Sequence, residues 1–355
     1  MIRLWITVLS ALLPAVTASG INVGQVPLGL LAPGVSLPSM QLLTDKGQPF
    51  SLPISGRYLL WLISSELIQH RFAYPEVNKQ WPSFTQQLQP FTQLGRGYVV
   101  VFPNFGEPVD PSSRLKFAKL FPYTTLFEQG EIRQLTAVHY PDSAGPEGSF
   151  TDVAGLYFIE SGKIVARYPF RGFGEWSRKG VESLIVMSAR GFLAGRGVGV
   201  MPAPLRVIGS RIPDGVHIPG YPSLILRLSG FEDQATKPVE IKPNSIPEAG
   251  AFGKQLLEAL TPLLKKVGVQ GIGLIDNPEI ANQAGAVLSR LKQRFPYWKF
   301  VYLSSPELRL RWLETPNAWV IDRGGRVLLP LSLSIAEADR QMDLLETALN
   351  KAKGK

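Results

Sequence analysis

The sequence predicts an α/β protein of two tandem domains, each a mixed central sheet flanked by helices. Continuous apolar runs of strand length, Tyr58-Leu59-Leu60-Trp61-Leu62-Ile63, Tyr98-Val99-Val100-Val101-Phe102 and Ile272-Gly273-Leu274-Ile275, lack polar alternation and suit strands buried on both faces. Between such runs lie segments with apolar residues at helical spacing, as in Phe252, Leu256, Leu260, Leu263 and Val267. A similar series of strands and helices, closing on a hairpin and a final helix, can be read on either side of a stretch rich in Pro and Gly, 195–222. With 355 residues and 45% hydrophobic content the chain exceeds one ordinary core and can fill two.

The elements follow in order. Met1-Ile2-Arg3, an apolar run over 4–16 interrupted by Pro14, and small residues at Val16-Thr17-Ala18 match a secretory signal peptide cut before Ser19. That run is short for a bilayer span. Retention as an uncleaved anchor is the alternative. The expected division is a signal over 1–18, a first domain over 19–197, a Pro/Gly-rich linker over 198–221 and a second domain over 222–352. Asp45-Lys46-Gly47-Gln48-Pro49 predicts a turn between two short strands. The strand over 58–63 leads through Ser64-Ser65 into a helix ending near Phe91, and a second buried strand covers 98–102. The stretch 121–152 reads as a long connection, functional or mobile. Leu156 to Tyr168 forms a hairpin about Ser161-Gly162, followed by a helix from about Gly174 to Phe192.

In the second half, 223–228 is a strand, and a helix over 252–267 contains Pro262, which predicts a kink. The run 272–275 is a strand. Ile280, Ala284, Val287, Leu288 and Leu291 mark a helix stopped by Pro296, and 300–303 is a strand. Thr315-Pro316-Asn317-Ala318-Trp319-Val320-Ile321-Asp322-Arg323-Gly324-Gly325-Arg326-Val327 is a hairpin matching the one at 157–165. A helix through Ile335, Met342, Leu345 and Leu349 closes the chain.

The opening Ala32-Pro33-Gly34, Pro38 and Asp45-Lys46-Gly47, the strand over 58–63, and the Pro316 hairpin together resemble the periplasmic thioredoxin-like proteins of the AhpC/TSA, or redoxin, superfamily. The resemblance implies two tandem thioredoxin-like domains. It also implies a Cys-x-x-Cys motif at a helix start, with a proline five residues after its second cysteine. If Pro75 is that proline, the motif is Leu67-Ile68-Gln69-His70. The family's cis-proline falls at Val153 and Ala154 in the first domain and at Pro316 in the second, where Thr315-Pro316 is expected to be cis and to face Asp276-Asn277-Pro278-Glu279. That loop is taken as the place where the second redox motif is missing. Expected binding residues are therefore Leu67, Ile68, Gln69, His70, Asp276, Asn277, Glu279 and Pro316.

The chain has no cysteine, so neither dithiol exchange nor thiol peroxidase chemistry is open to it. No Walker A loop, Rossmann fingerprint, GxSxG elbow or HExxH pair is present. His70 is the one motif residue able to bind metal or move a proton near neutral pH, with Glu66 and Glu76 as neighbouring oxygen donors. The other histidines, His139 and His217, stand at no metal-ligand spacing from it. The basic and aromatic residues Arg290, Lys292, Arg294, Tyr297, Trp298, Lys299, Arg309, Arg311 and Trp312 could hold a polyanion, but a solvated face with its aromatics in the core is the simpler reading, and export argues against a genomic target.

The sequence thus points to a periplasmic, non-redox interaction or assembly module of the cell envelope. No cofactor and no nucleic acid are expected. An envelope protein partner is expected; the formal charge of +9 would suit an anionic one such as an acidic protein, a membrane headgroup or a glycan, although a basic pI common among envelope proteins is the simpler reading of that charge. A metal or cofactor carrier built on His70 is the alternative, and an enzyme using non-thiol chemistry the second. We expect purified protein to reduce no insulin disulfide and to decompose no peroxide through thiol chemistry. Turnover that persists after contaminating thioredoxins are removed would refute this.

Overall fold

The computed structural model describes residues 31–65, 68, 88–91, 94–102, 109–128, 154–169, 175–205, 208–228, 251–313, 317–331, 333 and 335–354. The first half contains strands β1 (Met40–Thr44), β2 (Pro49–Leu52), β3 (Arg57–Ser64), β4 (Gly97–Phe102), β5 (Thr124–Glu128), β6 (Gly155–Glu160) and β7 (Lys163–Pro169). Its helices are α1 (Pro111–Ala118), α2 (Glu175–Arg178) and α3 (Glu182–Leu193). The second half contains β8 (Ser223–Arg227), α4 (Ala251–Val267), β9 (Gln270–Ile275), α5 (Ala284–Arg294), β10 (Trp298–Tyr302), α6 (Pro306–Arg311), β11 (Ala318–Ile321), β12 (Val327–Leu331) and α7 (Ile335–Lys353).

The two sheets share one plan. The first has the order β2-β1-β5-β4-β3-β6-β7 and the second β10-β9-β8-β11-β12. Without the β1–β2 hairpin, the orders coincide strand for strand. β3, β4 and β5 run parallel, as do β8, β9 and β10, while β6 and β11 return antiparallel beside β3 and β8. Both return strands carry a register shift, between Phe158 and Ile159 and between Val320 and Ile321. Pairing of Leu59 with Phe158 and of Leu224 with Val320 places the two shifts at corresponding positions. This common mixed order makes both halves thioredoxin-like.

The repeat extends to one side-chain device. Gly97 opens β4 beneath the Tyr123 ring, and Gly271 lies on β9 opposite Trp298 of β10. A Cβ on Gly97 would stand 2.6 Å from Tyr123 Cε1, and one on Gly271 would stand 2.4 Å from Trp298 Cε3. Each aromatic residue also donates a hydrogen bond to the helix that leads into the glycine's strand. Tyr123 Oη donates to the carbonyl of Phe91, and Trp298 Nε1 donates to Thr261 Oγ1 at 3.0 Å. Glycine is thus required where a large ring must approach backbone closely and still reach a polar partner. Burial pushes the Tyr123 phenol up to about 12.

Four apolar clusters fill the two faces of the two sheets. Leu59, Trp61 and Ile63 of β3 bury with α3 on one face, and Tyr58, Leu60 and Leu62 bury with the β1–β2 hairpin on the other. Leu224 and Leu226 of β8 bury with α4 and α7, while Ile225 buries with Leu205, Ile212 and Val216 from the Pro/Gly-rich stretch.

Three sequence expectations are corrected. The connection over 121–152 contains a strand, β5, whose Leu126 and Phe127 are fully buried. The helix expected over 174–192 is two helices, because Gly180 takes a left-handed φ of +63° and its N–H closes onto the Ser177 carbonyl at 2.9 Å. The aromatics of the basic cluster divide, with Trp298 and Trp312 in the core and Tyr297 exposed. The helix with Pro262 is assigned without interruption from Ala251 to Val267.

Gly271→Ala is expected to destabilise the protein by about 1–3 kcal/mol through overpacking against Trp298. Urea unfolding measures this, and an unchanged midpoint would show that the indole yields without cost.

Candidate functional site

In both sheets the carboxyl ends of the parallel strands lie on one side, where open α/β sheets place their ligands. In the first half β3 ends at Ser64, and Ser65 begins the helix; both are buried. Ile68 is fully buried in the cluster that contains Trp61, Phe91 and Trp176. Trp61 meets Phe91 edge-on at 5.2 Å and lies 5.5 Å from Trp176, whose Nε1 donates to the Pro169 carbonyl at 2.9 Å. One of the expected motif positions, Ile68, is therefore core. Leu67, Gln69 and His70 lie outside the described residues, as do Glu66, Glu76 and Val153. Ala154, the other cis-proline counterpart, is buried ahead of β6.

The second half requires a correction. The strand matching β3 is β8, not β9, so a redox motif in this domain would follow Leu228, outside the described residues. Asp276-Asn277-Pro278-Glu279 follows β9, the counterpart of β4, and lies one strand away from the expected position. Asn277 has a local task there: its Oδ1 accepts from the Glu279 N–H at 2.9 Å and caps the 3-10 turn Pro278–Gln283. Glu279 is exposed. Pro316 lies outside the described residues, so its peptide geometry and its approach to this loop do too. Asn317 just beyond it bonds the Leu333 backbone through both side-chain atoms, Nδ2 to O at 2.8 Å and Oδ1 from N at 2.7 Å.

Asp276 instead receives the first domain. Lys179 reaches it with Nζ at 3.1 Å from Oδ2, and the two side chains are only 5% and 8% exposed. The Lys179 carbonyl accepts from Arg309 Nε at 2.6 Å, while Arg309 Nη1 donates to the carbonyls of Leu303 and Ser304 at 3.0 and 3.2 Å. The helix break at Gly180 projects Lys179 outward, and a Cβ at Gly180 would come 3.4 Å from Arg309 Nη2. Around this polar centre Leu310 and Leu313 of the second half bury in the first-domain cluster with Trp176 and Val181. Burial raises the pKa of the nearby Tyr302 phenol, and the Arg309 charge opposes the rise. The arrangement joins the two halves through a desolvated ion pair, with Leu310 and Leu313 of the second half buried in the core of the first.

Sequence reasoning placed Arg309 in a surface cluster and did not single out Lys179. The available signal was Lys179-Gly180 after a short helical stretch, a helix-ending pattern that exposes the preceding residue. Among the described residues no three His, Asp or Glu side chains gather where they could hold a metal ion. No helix among them is long and apolar enough to cross a membrane.

No protein-family model matches the sequence, and no curated protein matches it. Solved structures do. BsSco, a member of the Sco family of cytochrome c oxidase assembly proteins, is 13% identical, with a TM-score of 0.29 over 44% of this chain and 93% of its own. A peroxiredoxin-like protein from Aquifex aeolicus is 13% identical, with a TM-score of 0.27 over 44% and 85%. The thioredoxin domain of a thiol-disulfide oxidoreductase from Bacteroides vulgatus is 18% identical, with a TM-score of 0.25 over 39% and 88%. Each match covers most of the shorter chain and less than half of this one.

Lys179→Met is expected to destabilise the protein by about 3–5 kcal/mol, because it leaves Asp276 buried and uncompensated. Combining it with Asp276→Leu should recover most of that loss. Denaturant titration of both variants checks this, and a harmless single substitution would show that the pair is hydrated in solution.

Proposed function

We propose that the protein is a redox-inactive binding module of the cell envelope, exported to the periplasm, whose two thioredoxin-like domains act as one body to hold a protein partner. The observation that carries this is chemical. Two sheets of a thiol-exchange scaffold stand in a chain with no cysteine, so the scaffold keeps its shape and lacks its reaction. The interdomain contact supports it as well: a buried ion pair with flanking leucines favours a fixed spacing between two binding surfaces over two independent domains.

The partner is a protein rather than a nucleic acid, and the positive charge favours an acidic one. Assembly of a larger envelope complex is the role this fits.

The test is cross-linking in intact cells followed by purification from the envelope fraction and amino-terminal sequencing. The mature protein should begin at Ser19 and carry one reproducible partner at fixed stoichiometry. A cytoplasmic, full-length protein would overturn export, and a protein recovered alone after cross-linking would overturn the binding role.

A further inference from the structure

The two sheets differ at one edge. In the first, β1 pairs antiparallel to β5 through Leu42–Glu128, Leu43–Phe127 and Thr44–Leu126, and covers it, so that Thr125 through Glu128 are all buried. In the second, the matching strand β10 pairs only with β9 among the described residues, and every residue except Trp298 stays partly exposed. The Gly271 N–H donates to the Tyr297 carbonyl at 3.1 Å and the Leu303 N–H to the Ile275 carbonyl at 2.9 Å. Alternate residues of a parallel strand face opposite neighbours, so the backbone groups of Phe300 and Tyr302 point to the open side. An edge of this kind is a template for another strand.

We propose that the open edge of β10 is a docking site for an extended, acidic segment of a partner protein, which adds antiparallel as β1 does on β5. This rests on the binding-module reading and names where and by what chemistry the partner is held. Backbone pairing supplies the affinity of such contacts, and alternate side chains supply the selection. Charge selects the occupant. The sequence over 290–311 carries Arg290, Lys292, Arg294, Lys299, Arg309 and Arg311 against Glu307 as its only carboxylate. Arg309 is committed to the domain contact, and Arg294 approaches Glu258 at 3.6 Å. Lys299 lies within the strand itself, Lys292 and Arg311 are exposed, and Lys265 stands 5.0 Å over the Tyr297 ring at the strand's entrance. A second copy of this chain would bring these cations against their own kind, in molecules each carrying +9, and like charges across a strand pair are unfavourable.

The test selects random peptides displayed on phage against the full-length protein and follows amide hydrogen exchange with a selected peptide bound. The expected peptides alternate apolar and acidic residues and slow exchange at Phe300 and Tyr302 by about tenfold at a free concentration of about ten times Kd. N-methylation of alternate peptide amides should abolish binding. The double variant K292E/K299E, checked for an unchanged melting temperature, should weaken it severalfold. Peptides without acidic bias, or protection confined to other amides, would overturn the edge proposal while leaving a binding module in place. Failure to recover any binding peptide would overturn both. Concentration-dependent self-association that protects the same amides without peptide would assign the edge to a second copy instead.

Discussion

The ion pair between Lys179 and Asp276 is the constraint on which the arrangement of the molecule depends. Two charges almost removed from water are stable only when each finds the other, so the domains can meet in few ways that satisfy both. Arg309 narrows the choice further, because its guanidinium ties the Lys179 carbonyl to the Leu303 and Ser304 carbonyls on the far side of the junction. The leucines that bury around this centre add area without direction, and the polar groups supply the direction. Asp276 thereby becomes structural, although it stands at the edge of a sheet where α/β proteins commonly hold ligands.

The first half buries the chain where its leading parallel strand ends. A reactive motif needs a partly exposed, polar corner. Here Ile68 is sealed under Trp61, Phe91 and Trp176, and Ser64 and Ser65 are buried at the end of β3. The aromatic group that fills this region belongs to the same cluster as Leu310 and Leu313, so the core of the first half is continuous with the domain junction.

Much of this fold was legible in the sequence, for identifiable reasons. Strands buried on both faces, such as β3 and β4, announce themselves as unbroken apolar runs, and the hairpins at Ser161-Gly162 and Asp322-Gly325 carry their turn chemistry openly. β5 was missed because Thr124-Thr125-Leu126-Phe127-Glu128 is short and bounded by polar residues, and Glu128 is buried only because β1 lies over it. The candidate site was harder. Matching Asp276 to the redox position took β9 for the counterpart of β3, an error of one strand that pattern alone could not expose, since both strands read as apolar runs. Lys179 and Arg309 were illegible for a different reason: a charged residue looks solvated in sequence until its partner from another domain is placed beside it.

The pairs Gly97–Tyr123 and Gly271–Trp298 have an evolutionary consequence. Each ring occupies the volume that its glycine vacates and spends its one hydrogen bond on the crossing helix. The glycine cannot drift alone, because a methyl group on it collides with the ring, and a smaller ring that lacks the donor leaves a void and loses the bond to the helix. The two halves carry a tyrosine at one of these places and a tryptophan at the other with a glycine opposite both, so the constraint falls harder on the small residue than on the large one.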